Sequence, residues 1–210
     1  LQKDGNSILF AAKENELIAL LGVKDNVKDN VKEVVSKLKK MGINLVMLTG
    51  DNEKTAHAIA SYIGIDNVIA GVMPKDKAKT IEDLKKNNEL VMMCGDGIND
   101  SVSLVKADIG VSVGSGADVA MDSSNVVLMN DNLEKIVELI EISRRTIRNI
   151  KQNLFWAFFY NLCMLPIAIG VLSPFGITIN PMMASIAMTI SSVTVTLNSL
   201  RLKRIIRKIK

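Results

Sequence analysis

A chain of 210 residues with 26 Lys and Arg against 22 Asp and Glu carries a formal charge of +4, a balance that by itself would suit a nucleic-acid partner. The distribution excludes that reading. Ten of the cations stand in two groups, Arg144, Arg145, Arg148 and Lys151, then six between 201 and 210; the other 16 face all 22 acids and leave −6. Two cysteines, Cys94 and Cys163, exclude a disulfide-stapled secreted domain.

In chain order, 7–12 and 17–21 read as strands, the trailing pieces of a domain over 1–22. From residue 24 helix and strand alternate, which predicts a doubly wound α/β sheet for a domain over 23–143. Val31, Val34, Val35, Leu38 and Met41 mark one face of a helix that Gly42 ends. A strand over 44–48, a helix over 53–63 closed by Gly64, a strand over 68–70, a helix over 75–87 and a strand over 90–94 follow. Segments 109–113 and 126–129 are the last strands, and Leu133, Ile136, Val137 and Ile140 open another helix. Gly114, Ser115 and Gly116 lack the spacing of a dinucleotide loop. His57, mid-helix beside Lys54, reads as solvated or capping.

No charged side chain occurs over 152–200. That is room for two passages of about 20 apolar residues, and two transmembrane helices are predicted at 153–172 and 181–200, joined by 173–180. They form the core of a segment over 144–203, with a basic tail over 204–210. Both cationic groups flank the hairpin while its connecting loop is uncharged, so the soluble domain and the C-terminus are expected in the cytoplasm. Neither span is a signal peptide, since both follow a folded domain. The helix entering the first span carries no Gly or Pro break, and it reads either as a rod that transmits movement or as a plain tether.

The chemistry concentrates after the apolar run 90–94, in Gly95, Asp96, Gly97, Ile98, Asn99 and Asp100. A short apolar run reads as a strand buried on both faces, so its loop lies where open α/β sheets place ligands. Asp96 and Asp100 are hard oxygen donors of the kind Mg²⁺ takes, and Asn99 can donate to a phosphate oxygen without adding charge. A second strand ends in Thr49, Gly50 and Asp51, and Lys77 stands at the start of a helix opened by Pro74. Hydroxyl, lysine and an acid pair suit phosphoryl chemistry. Cys94 reads as a small core residue, with no base nearby to make it a nucleophile. In the hairpin, Tyr160 and Asn161 stand mid-span, Pro166 frees the carbonyl of Leu162, and Met188 and Ser192 share a face as i and i+4. Thioether sulfur suits Cu(I), which makes Met188 a candidate ligand and Cys163 a secondary one.

At Thr49-Gly50-Asp51, Pro74 to Lys77, and Gly95 to Asp100 the chain resembles the haloacid dehalogenase superfamily and, within it, the P-type ATPases. Tyr160-Asn161, Met188, Ser191-Ser192 and the run Asn198, Ser199, Leu200, Arg201 resemble the last two membrane helices of the copper(I)-exporting subgroup. The family's Asp-Lys-Thr-Gly-Thr loop, which carries the phosphorylated aspartate, and its Cys-Pro-Cys motif do not occur in these residues. Where the family continues with Ala-Pro-Ala-Leu, this chain reads Ser101, Val102, Ser103, Leu104.

The resemblance implies part of an ATP-driven pump that exports copper(I) through an aspartyl-phosphate intermediate, with 1–22 the trailing strands of its nucleotide-binding domain and 23–143 the C-terminal portion of its phosphorylation domain. Thr49 would bond the phosphoryl group, Gly50 and Asp51 complete that loop, and Lys77 neutralise it. Asp96 and Asp100 would hold Mg²⁺, Asn99 order the centre, and Tyr160, Asn161, Met188 and Ser192 bind copper. Implied partners are copper(I), the lipid bilayer, the N-terminal remainder of the pump with its ATP pocket, and a copper chaperone, with no nucleic acid. The implied location is a multi-pass cell-membrane protein. The 210 residues alone are expected not to hydrolyse ATP. The rival expectations are a silver, zinc or cadmium pump, a membrane-anchored phosphatase, and a non-catalytic scaffold.

Overall fold

Apolar side chains at helical spacing turn α1 (Val31–Lys40) onto the interior, where Val34, Val35 and Leu38 are buried. The structure is a computed structural model that describes residues 7–14, 16–23, 27, 30–86, 89–96, 100–114, 122–128, 132–171, 174, 176 and 180–207. The chain divides into two compact units, Leu1–Val137 and Glu138–Lys210.

In the first unit β1 (Ser7–Lys13) and β2 (Glu16–Val23) form an antiparallel hairpin. After α1 come β3 (Val46–Leu48), α2 (Glu53–Ile63), β4 (Asn67–Ile69), α3 (Pro74–Lys85), β5 (Met92–Gly95), α4 (Ser101–Lys106), β6 (Ile109–Val113) and β7 (Val126–Leu128). The predicted α/β alternation is present. The predicted single sheet is not: β3 pairs with β4 and β5 with β6 and β7, all in parallel, and among the described residues no ladder joins β3 to β5.

Among the described residues β5 is the edge strand of its sheet, and it is not buried on both faces as its apolar run suggested. Met93 is buried, Cys94 is exposed, and Leu90 just ahead is 88% exposed. The expectation of Cys94 as a core residue fails for the same reason. One face of β5 still builds the core, in which Ile81, Met93, Leu104 and Ala107 are buried with Leu48, Leu84 and Val91 against them. Leu48 therefore brings the end of β3 to the same core as β5, without a shared ladder. Behind β5, Val91 N–H donates to Asp108 Oδ2 at 2.9 Å and Val91 O accepts from Asp108 N at 3.0 Å, while Lys85 Nζ meets Asp108 Oδ1 at 2.9 Å. The Val91 amide and the Lys85 ammonium hold the Asp108 carboxyl below its usual range.

The helix α5 (Glu134–Ala168) runs past the boundary between the units, and α6 (Pro181–Ile206) completes the second. Amides tie the two helices together near the basic groups. Asn149 Nδ2 donates to Asn198 O at 3.0 Å, Asn153 Nδ2 to Ser199 Oγ at 2.9 Å, and Asn198 Nδ2 to Asn153 Oδ1 at 2.8 Å. The expectation of two complete transmembrane spans is not met: among the described residues no helix is long and apolar enough to cross a membrane. Two causes are visible. After Lys151, α5 continues only to Ala168, about 26 Å at about 1.5 Å per residue, before the chain turns through Gly170 at φ 82°. In α6, Ser185, Thr189, Ser191, Ser192, Thr194, Thr196, Asn198 and Ser199 dilute the apolar side chains.

Candidate functional site

The carboxyl end of β3 opens into a loop closed on itself. Thr49 Oγ1 donates to Asp51 Oδ2 at 2.9 Å and accepts from Asp51 N–H at 3.1 Å. Its backbone N–H donates to Ile69 O at 3.0 Å, which fixes the loop to the end of β4. Asn52 then caps α2 by accepting from Thr55 N–H at 3.0 Å.

The next segment is bound to that loop by its backbone. Gly71 N–H donates to Asp51 O at 2.8 Å and Val72 N–H to Thr49 O at 3.1 Å. A β-carbon on Gly50 would lie 3.4 Å from Val72 O, so the two strands of backbone pass closely. Met73 follows as the N-cap of α3, and Pro74 sits in its first turn, a position where a missing N–H is harmless. Lys77 is thereby placed one turn into the helix, with its N–H on Met73 O at 3.1 Å. Its ammonium reaches Asp100 Oδ1 at 2.7 Å, with the two side chains 18% and 12% exposed.

Asp100 is in turn placed by β5. The strand ends at Gly95, Asp96 O accepts from Asp100 N–H at 3.0 Å, and α4 begins at Ser101. A β-carbon on Gly95 would lie 2.5 Å from Asp100 Oδ2. The carboxylate thus folds back over the strand end, into space that only glycine leaves open. Thr49, Gly50, Asp51, Lys77 and Asp100 are connected in this way through Val72 and Met73, with Asp96 at the mouth of β5. Asn99 lies outside the described residues. The linking role of Gly71 and Val72 escaped the sequence reading, because it rests on backbone amides and carries no side-chain signature.

The donor set fits a hard cation accompanied by phosphate. Among the described residues no group of three or more His, Cys, Asp or Glu converges on a metal position. Two carboxylates, Asp96 and Asp100, are what Mg²⁺ ordinarily takes from a protein when water and phosphate oxygens complete its shell. Cys94 offers no nucleophile. Exposed at one edge, its thiol is nonetheless desolvated by the strand end and pushed up to about 11, so it stays protonated at neutral pH.

A second arrangement lies between α5 and α6, a cleft of about 580 Å³. Tyr160, Asn161, Met188 and Ser192 all line it, together with Met164 and Ser191. Tyr160 Oη lies 3.5 Å from Thr194 Oγ1, and Asn161 Nδ2 donates to Ala157 O at 2.9 Å, one turn back. Cys163 is exposed and is not among the lining residues. Met164 was not singled out by the sequence reading, although its i+4 relation to Tyr160 would have placed it on the same face.

Residues 1–108 match the family model described as haloacid dehalogenase-like hydrolase. A copper-exporting P-type ATPase of Legionella pneumophila is 45% identical over 98% of this chain and 28% of its own length. One from Staphylococcus haemolyticus is 46% identical over 97% of this chain and 25% of its own. The chain therefore spans about a quarter of the length of the curated relatives it matches. Among solved structures, a zinc-transporting PIB-type ATPase in the E2.Pi state aligns with a TM-score of 0.79 at 32% identity, over 96% of this chain and 32% of that one.

Proposed function

Because the chain belongs to the haloacid dehalogenase-like hydrolase family, we propose that it is the phosphoryl-handling part and terminal helical hairpin of an ATP-driven pump exporting copper(I) through an aspartyl phosphate. The observation that carries the reading is the coexistence, in one chain, of the Thr49–Lys77–Asp100 arrangement and a thioether-lined cleft. The first suits phosphoryl transfer and the second a soft ion.

Within that reading each residue has a task. Lys77, already steered by Asp100, sets a positive charge where the phosphoryl oxygens gather, so little reorganisation is needed when they arrive. The Thr49 hydroxyl, now spent on Asp51, turns to a phosphoryl oxygen. Asp96 and Asp100 would hold Mg²⁺, which would supply charge neutralisation at the phosphate, and Asn99 would order that centre. The nucleophilic aspartate and the ATP pocket belong to other residues of a longer protein, so the 210 residues alone carry no turnover.

We place the hairpin in the bilayer of that longer pump. Neither helix meets the length and apolarity of an independent span. Several of their polar residues, however, are used within the pair, on the amide contacts and the cleft, while Phe155, Phe158, Leu162, Val193 and Leu197 are exposed as lipid-facing side chains would be. The soluble unit and the C-terminus then lie in the cytoplasm.

A zinc pump is the second reading, favoured by the likeness to a zinc-transporting structure. Zinc takes thiolate, imidazole or carboxylate ligands, and residues 152–200 contain no charged side chain, whereas Met188 offers a thioether. Metal-stimulated ATPase activity of the full-length pump separates the two. Copper(I) is expected to stimulate and Met188→Ala to abolish that response; stimulation by zinc alone, unaffected by Met188→Ala, would overturn the copper assignment.

A further inference from the structure

The cleft between α5 and α6 is lined by a methionine from each helix. Met188 lines it from α6, and Met164 lines it from α5. Met164 follows Tyr160 by four residues and Asn161 by three, so all three occupy one helical face, opposite Met188, Ser191 and Ser192. The neighbouring Cys163 is rotated about 100° away on the helix, is exposed, and does not line the cleft. Met164 itself is half-buried.

We infer that Met164 is a second thioether ligand which, with Met188, grips the transported soft monovalent ion between the two helices. The inference rests on the copper reading of the cleft and adds to it a residue that sets ion preference. A thioether carries no proton and no charge, so it binds Cu(I) without proton release, whereas a thiol must first ionise. Its soft sulfur favours Cu(I) over Zn²⁺. Three rotatable bonds let a methionine side chain follow an ion that shifts within a cleft. A pair of thioethers on separate helices also couples ion binding to the spacing of those helices, because both must approach for both sulfurs to bind.

The test uses the 210-residue chain in detergent, titrated with Cu(I) against a chromophoric chelator, with X-ray absorption counting sulfur neighbours. Met164→Leu conserves volume, and circular dichroism checks that each variant stays helical. The wild type is expected to bind with two sulfur neighbours. Met164→Leu should lose one sulfur and weaken binding by at least the roughly tenfold that even outer partners of a metal site are worth, and Cys163→Ser should change neither. If Met188→Leu weakens binding while Met164→Leu keeps two sulfurs and full affinity, the inference falls and the cleft reading stands. If the folded wild type binds no Cu(I), both fall. Loss of a sulfur in Cys163→Ser with Met164→Leu unchanged would reassign the ligand to the cysteine.

Discussion

At Gly95 an added methyl group would meet one oxygen of a carboxylate whose other oxygen is held in an ion pair with Lys77. The β-carbon would stand 2.5 Å from Asp100 Oδ2, so Gly95→Ala must displace Asp100 and open the contact with Lys77. Under the proposed function, the full-length pump carrying Gly95→Ala is expected to fold yet to form a phosphoenzyme at least about tenfold more slowly, consistent with losing one preorganised electrostatic contact; an unchanged rate would show that the position of Asp100 is immaterial. Thr55 is a different kind of residue-scale test. Its hydroxyl is buried without a hydrogen-bond partner among the described residues, while its N–H is held by Asn52. Thr55→Val keeps the shape and removes the orphaned oxygen, and should raise unfolding stability by about 1 kcal/mol in a denaturant titration. Asp108 supplies the pH dependence. Its folded-state pKa is depressed by the Val91 N–H and by Lys85, so its stabilising effect is present above the ordinary carboxylate value of about 4 and is lost as pH falls through the lower folded value. Asp108→Asn should flatten the acid limb of the stability profile below about pH 4 and leave its slope near neutrality unchanged.

Among the elements, α4 shows how much a short helix can position. It packs against α3, β5 and β6, and Leu104, 1% exposed, is its anchor. Leu104→Ala is expected to destabilise the first unit by about 2–5 kcal/mol, read by thermal or denaturant unfolding, and a loss below about 1 kcal/mol would mean that the core does not close here. Elements with strong periodicity were legible from sequence. The helix over 53–63 with its Gly64 stop and the strand over 109–113 lie where the pattern put them, because Asn52, Gly64 and a β-branched run act locally. Strand burial was not legible. An apolar run such as 90–94 looks the same at the centre of a sheet and at its edge, and only the pairing decides, here leaving Leu90 and Cys94 exposed. The hairpin shows a similar limit, for no described helix of it is long and apolar enough to span a membrane by itself. The uncharged run 152–200 is not uniformly apolar: among the hydroxyl and amide side chains of α6, Thr194, Asn198 and Ser199 reach α5 and Ser191 and Ser192 line the cleft.

For the whole molecule, the three motifs stand out in the sequence because each is short and contiguous. Their convergence does not, since it runs through Gly71 and Val72 N–H groups that any sequence would supply. The same distinction applies to the cleft, where Met188 was legible by its sulfur and Met164 only by its place on a face. The proposed pump joins the two centres in a chain that covers about a quarter of its copper-exporting relatives. The most direct measurement is acid-stable phosphorylation of the full-length pump from labelled ATP, with and without Cu(I), in wild type and in Lys77→Ala. Copper-dependent, hydroxylamine-labile label in the wild type, reduced at least about tenfold in Lys77→Ala, is the predicted result; label that is absent, or indifferent to both copper and Lys77, would contradict the account.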